Sequence, residues 1–283
     1  MIRTKLGSSA PATGGTKTPP VSKSTVRLGE GARKALMAGI SLTAFVVIWQ
    51  LADMYLFNPR LVPSPATTAA SAWQMLQTGD LEKNVGISLW RILVGYAWGC
   101  VAGIVLGGII GRVALVRDLA DPLLEMIRPV SPVAIVPLAM LWFGIGEMSK
   151  YIVIGYATVI VVLLNTSAGV SRTPRTRIRA ALSLGASELQ VFLKVVLPSA
   201  IPYVLTGMRV ALGFAFMGVV AAELIGAHRG IGFLIMNSQM LMQTDQLFVG
   251  LLALSIVGAT TDRVFRYILD RSMKRYMQFL EES

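Results

Sequence analysis

Six ionisable side chains lie within or beside the long apolar runs of this 283-residue chain: Asp53, Arg91, Glu125, Arg128, Arg209 and Glu223. A charge inside a bilayer is costly, so each such position invites a functional explanation. Glu125 precedes Arg128 by three residues, the spacing of a helical ion pair, and a structural pairing accounts for it. Arg209 and Glu223 share one helical face but sit several turns apart, so they cannot pair within that helix. Arg209 reads either as a contact for an anionic substrate or, with fewer assumptions, as an anchor snorkelling to the interface. Covalent chemistry is poorly supplied. His228 is the only histidine and Cys100, inside an apolar run, the only cysteine, which excludes an intrachain disulfide or a cysteine metal cluster and argues against zinc. No catalytic residue and no metal ligand set is expected. The P-loop pattern G-x-x-x-x-G-K-[ST] is missing, and GGTKT at 14–18 lacks its spacing, so this chain should bind no ATP.

The elements that must position these charges are membrane helices. Hydrophobic residues make up 54% of the chain and charged residues 14%, against roughly 25% charged in an ordinary soluble domain. The net charge of +11 flanks apolar runs instead of forming a patch interleaved with aromatics, so lipid and topology explain it and nucleic acid does not. The fold class is all-α and polytopic, with about six transmembrane helices. Residues 1–34, rich in Ser, Thr, Gly, Pro, Lys and Arg, read as a disordered basic tail. A transmembrane domain follows over 35–275, and a short C-terminal tail over 276–283.

The first span is expected over 35–57, an uncleaved helix long enough to cross the bilayer. A short interfacial helix with Trp73, Met75 and Leu76 should follow. The second span, about 86–111, carries Gly95, Gly99, Gly103, Gly107 and Gly111 at every fourth position. Such a stripe lets a neighbouring helix approach closely, either from a second subunit or within the chain. The third span, about 119–143, contains Pro122, Pro129, Pro132 and Pro137. Proline frees backbone carbonyls, which a bilayer tolerates only when they are packed in protein or face a wet cavity. Pro129, Pro132 and Pro137, with Arg209 and Glu223, are therefore candidate pathway residues, against the alternative of a kinked packing helix. The remaining spans are expected at about 150–170, 201–225 and 248–268, with an outer loop between the last two holding a short Met-rich helix. With the N-terminus inside, 19 of the 26 Lys and Arg residues fall in cytoplasmic segments, as the positive-inside rule asks.

Between the fourth and fifth spans, TPRTRIRAALSLGASELQVFLKVVLPSAIP (173–202) is basic and helix-prone. Thr173-Pro174 reads as an N-cap with proline at the first helical position. Ile178, Leu182, Gly185, Leu189, Phe192 and Val196 recur at spacings of four and three on one face. Ser187 and Gln190 have the form of a capping box. Two short helices hinged at Gly185 and ended by Pro198 are expected. An amphipathic hairpin kept in water suggests a partner, although a plain connector also fits the pattern.

Arg179-Ala180-Ala181, then Gly185, then Leu197-Pro198 has the spacing of the "EAA" loop and so resembles the permease subunits of binding-protein-dependent ATP-binding-cassette (ABC) importers. Arg179 stands where that motif has Glu. LVPSP (61–65), SLWRILVGY (88–96), DPLLEMIRPVSPVAIVPLAMLWFGIGEMSK (121–150), NTSAGV (165–170) and the run from 197 to 235 resemble the nitrate, sulfonate, taurine and bicarbonate importer group. The resemblance implies a coupling loop over 173–198 that docks on a cytoplasmic ATPase dimer. It also implies a second copy of the chain, an external solute-binding protein, and ATP and Mg held by the partner ATPase with no cofactor on this chain. The location would be the bacterial cytoplasmic membrane and the cargo a small solute, an anion such as nitrate, a sulfonate or an aromatic acid. A secondary transporter driven by an ion gradient is the alternative; it would need buried acids or broken half-helices in two repeats.

Overall fold

The computed structural model describes residues 24–55 and 61–281. It is helical throughout these residues and divides into two units at Ala52–Asp53. Helix α1 (Ser24–Tyr55) begins inside the stretch expected as a tail; residues 1–23 lie outside the described residues. Its apolar part, Gly39–Tyr55, is shorter than the other spans, and the remainder of the expected first span at 56–57 is not described.

In the second unit, α2 (Pro65–Gln77) starts where Ser64 accepts from the Thr67 N–H at 3.1 Å, with Pro65 in the first turn where a missing N–H costs nothing. Helix α3 (Asp80–Arg112) carries Asp80 and Glu82 in its first turn and Arg112 in its last, both favourable to the helix dipole. After α4 (Ala114–Ile127) and α5 (Pro132–Phe143) comes α6 (Glu147–Ser171). Then α7 (Arg175–Ser183) and α8 (Glu188–Val191) lead through a π-helical turn (Phe192–Val196) into α9 (Leu197–Gly226). Helices α10 (Ile231–Met240) and α11 (Thr244–Glu281) complete the unit, α11 running on through most of the expected C-terminal tail.

Among the described residues four helices are long and apolar enough to cross a membrane: α3, α6, the continuous run Glu188–Gly226, and Thr244–Leu269 within α11. The expected third span is not one helix. It breaks into α4 and α5, bent by 100°. Pro129 and Pro132 explain the break, since each removes a backbone donor and disfavours helix in the residue before it. Ser131 caps the second piece through the Val133 N–H at 3.3 Å.

The glycine stripe of α3 meets α6. A Cβ on Gly95, Gly99, Gly103 or Gly107 would lie within 2.6–2.7 Å of Ile154, Thr158, Val162, or Leu163 and Thr166, respectively. Of the two readings of the stripe, the close partner is therefore a helix of the same chain. The packing is reciprocal: a Cβ on Gly155 would strike the Trp98 ring. Helix α9 closes the layer, with Ile92, Ile154, Ala215 and Val219 forming one buried cluster and Cys100, Val162 and Ala211 another.

Candidate functional site

The broken pair α4–α5 shapes the first candidate region. At the break, the Tyr156 hydroxyl faces the carbonyl oxygens of Ile127 and Val130 at 3.3 and 3.2 Å; Ile127 O also accepts from the Val130 N–H at 3.0 Å, and the hydroxyl offers a donor where the helical ladder is interrupted. Beside it a cavity of about 410 Å³ is lined by Arg128, Pro132, Tyr156, Asn165, Val210 and Phe214 among others. Of the candidate pathway residues, Pro132 reaches this cavity; Pro129, Pro137, Arg209 and Glu223 do not line it. The expected Glu125–Arg128 ion pair does not form. Arg128 is left exposed at the cavity instead. Tyr156 and Asn165 carry no periodic signal in the sequence, each being a single polar residue in an apolar run.

Arg209 and Glu223 have protein partners. Arg209 Nε lies 3.2 Å from Asp262 Oδ1, and Asp262 also holds Arg266 at 2.9 Å, so α9 and α11 are tied by a half-exposed cluster. Glu223 is 1% exposed and Arg91 is 3% exposed. The Glu223 carboxylate accepts from Arg91 Nη1 at 2.8 Å, from Ser88 Oγ at 2.7 Å and from the Gly232 N–H at 2.8 Å. Arg91 forks onto Glu147 with Nε and Nη2 at 2.7 and 2.6 Å and donates to the Arg229 carbonyl at 2.7 Å. Lys150, at the start of the expected fourth span, is buried and reaches Glu147 at 2.9 Å.

The same helix face captures the segment after α9. Asn84 Oδ1 accepts from the Gly230 N–H and Ser88 Oγ from the Ile231 N–H, each at 2.8 Å. Gly230 has φ +130°, and a Cβ there would sit 2.3 Å from the Glu223 carboxyl carbon. Only glycine fits such a turn against a carboxylate. The periodic signal was present in the sequence, for Asn84, Ser88 and Arg91 stand at i, i+4 and i+7 on one face of α3. Glu223 thus stands at the centre of a buried, satisfied network. An ion-coupled carrier needs a buried acid free to change partners, and this one is committed to three donors.

The hairpin forms the third region. Helix α7 starts at Arg175 with Pro174 as N-cap, one residue later than expected, and the Thr173 hydroxyl caps nothing. At its end the Gly185 N–H bonds to Leu182 O at 3.0 Å and the Ala186 N–H to Ala181 O at 3.2 Å. Gly185 has φ +83°, so the pattern is a Schellman stop that demands a left-handed residue. Ser187 and Gln190 make the expected capping box, with bonds of 3.3 and 3.0 Å.

Pro198 does not end the hairpin. The Leu197 N–H bonds back five residues to Phe192 O, and this wide turn carries the chain past a proline that donates nothing into α9 without a break. The hairpin base is packed: Ile178, Ala181, Phe192 and Val195 cover a buried cluster of Val170, Val191, Val196 and Ala200. Its tip is bare, with Leu184 88% exposed, Leu189 62% exposed, and Leu182 and Leu193 also exposed. Arg175, Arg177, Arg179 and Ala180 face outward beside them.

Comparisons with known proteins agree with this architecture. Residues 99–275 match the family described as "Binding-protein-dependent transport system inner membrane component". The taurine transport system permease protein TauC of Escherichia coli strain K12 is 37% identical over 228 residues, covering 79% of this chain and 83% of that protein. The nitrate import permease protein NrtB of Synechococcus elongatus is 28% identical over 242 residues, covering 81% and 86%. In three dimensions the chain is similar to the crystal structure of an amino acid ABC transporter with histidines. The TM-score is 0.57 at 15% identity, over 71% of this chain and 96% of that one, which speaks to the fold alone. By family match and close relatives together, the chain belongs to the binding-protein-dependent transport system inner membrane components, the multi-pass permease subunits of ABC importers.

Proposed function

We propose that this permease works as a homodimer whose hairpins dock on a pair of cytoplasmic ATPase subunits, which bind the ATP and Mg. The observation that carries the coupling role is the bare leucine tip around Gly185. Four large apolar side chains, Leu182, Leu184, Leu189 and Leu193, project from a polar hairpin that already has its own packed base. Exposed apolar surface of this kind, rimmed by charge, fits a protein partner. The flanking Arg179, Ala180 and Ala181, with Leu197 and Pro198 at the far end, belong to the same coupling segment. Because Arg179 is a cation without a partner among the described residues, the ATPase groove should offer it a carboxylate or backbone carbonyls. The N-terminus and hairpin face the cytoplasm, and an external binding protein delivers the cargo to the opposite side.

The cargo is a small anion, a sulfonate, nitrate or an aromatic acid. Two things support this: relatives named for taurine and nitrate transport, and the Arg128 guanidinium on the cavity beside the α4–α5 break. Reconstitution with a cognate ATPase and binding protein tests the proposal. A Leu184→Cys variant should cross-link to the ATPase, and uptake should stop when the ATPase P-loop lysine is replaced. Uptake that survives that replacement would overturn the ATP-driven reading. Screening the binding protein by thermal shift against small anions then identifies the cargo.

A further inference from the structure

A second cavity of about 410 Å³ lies between the end of α3, the start of α4 and the hairpin base, away from the one beside the α4–α5 break. Three arginines from three elements line it: Arg112, Arg117 and Arg175. Arg112 stacks over the Phe192 ring at 4.8 Å and stands 3.6 Å from Glu188, the only acid on the lining. Arg117 donates to the carbonyls of Gly111 and Ile110 at the end of α3. Arg175 has no partner among the described residues. Thr173 also lines the cavity; it is 6% exposed as a residue and its hydroxyl has no hydrogen-bond partner. Ile178 and Phe192 supply apolar lining, Phe192 directly beneath Arg112.

A buried hydroxyl with no partner costs stability unless something meets it, and native proteins leave few such groups. Here its residue lines a cavity in which cations outnumber anions, and an acceptor oxygen that reached the hydroxyl would satisfy it and a guanidinium together. Guanidinium groups favour the planar pairs of oxygens that phosphate and sulfonate present. The apolar wall adds a preference for a hydrocarbon body attached to that head.

We propose that this cavity is a binding site for a tetrahedral oxyanion on an apolar body, a phosphate ester or an organosulfonate. Its head meets Arg112, Arg175 and the Thr173 hydroxyl, and its tail lies on Ile178 and Phe192. A membrane phospholipid and a soluble organic anion both present this chemistry at the hairpin end of the spans. Either occupant links the end of α3 to α7, so occupancy bears on how freely the hairpin moves.

The test uses the full-length chain in phosphatidylcholine nanodiscs, with pentyl phosphate as probe and the thermal unfolding midpoint as readout. The wild type should show a saturable rise that matched sodium chloride does not reproduce. Arg175→Gln, at an exposed position with no contact to lose, should weaken apparent affinity by about tenfold. Thr173→Val should weaken it as well, while Arg263→Gln on α11 should leave it unchanged. Phosphatidylglycerol discs separate the sources. If lipid fills the site, wild type but not Arg175→Gln starts at a raised midpoint and the probe adds nothing. If a soluble anion fills it, the probe raises the midpoint equally in both discs. The proposal is overturned if no saturable rise and no lipid-dependent difference appear, or if the rise persists in the Arg175→Gln/Thr173→Val double variant.

Discussion

Helix α3 joins two regions that treat charge in opposite ways. At one end Arg91 and Glu223 are buried, and every strong donor and acceptor around them has a partner from α6, α9 or the segment leading into α10. At the other end Arg112 makes a long ion pair, Arg175 and Arg179 make none, and leucines face outward. A satisfied network fixes one arrangement of helices, because any movement would strand a buried charge. A surface with unspent donors and bare apolar groups is prepared for something that is not part of the chain. The contrast divides the molecule into an end that is sealed and an end with donors and apolar surface to spare.

The comparison breaks most visibly if Arg91 is removed. Arg91→Ala leaves Glu223 buried with only neutral donors and should cost about 3–5 kcal/mol, read as a large fall in the unfolding midpoint in nanodiscs. Glu223→Gln keeps an acceptor for the Gly232 N–H and should lose less. If Arg91→Ala unfolds like the wild type, the network is decoration and the contrast between the two ends fails. Next in size is the shaft between them. Gly103→Leu would drive a side chain into Val162, where even a Cβ would lie 2.7 Å away, and overpacking of this kind costs about 1–3 kcal/mol.

Much of this was legible in the sequence, for identifiable reasons. Glycines at every fourth position, the Ser187–Gln190 capping box and the glycine stop of the hairpin are local patterns, each written within about one or two helical turns. What was not legible depends on distant partners or on local backbone geometry that hydropathy does not register. Glu223 looked like a pathway acid because its partners lie 132 and 135 residues away at Arg91 and Ser88. The third span looked continuous because hydropathy does not register a 100° bend, although Pro129 and Pro132 marked its place. Pro198 looked like a terminator because the π-helical turn that absorbs it has no sequence signature of its own. Leu184 lies off the apolar stripe, yet it is the most exposed leucine of the hairpin.

The hairpin should respond differently from the network. Gly185→Val places a β-branched residue at φ +83°, a strain of about 1–2 kcal/mol that the open space around the position does not relieve. Stability should fall less than in Arg91→Ala, but uptake by the reconstituted importer should collapse while its ATPase rate persists. Normal uptake at equal membrane levels would remove Gly185 from the coupling role and leave the bare tip without a function.

The smallest effect is expected at Arg209–Asp262, and its size measures how far the contrast extends along α9. This pair bridges α9 and α11 at 3.2 Å, yet both side chains are more than a third exposed and Asp262 is shared with Arg266. Water and the second arginine compete for the carboxylate, so its removal strands nothing. Asp262→Asn should therefore leave the unfolding midpoint in nanodiscs essentially where it was. Raising the salt concentration should not separate variant from wild type either, since there is little exposed attraction to screen. A fall comparable to that of Arg91→Ala would mean that α9 is held by charge along its length. The division between a sealed end and an open one would then give way to a single electrostatic frame in which the hairpin moves only as the whole of α9 moves.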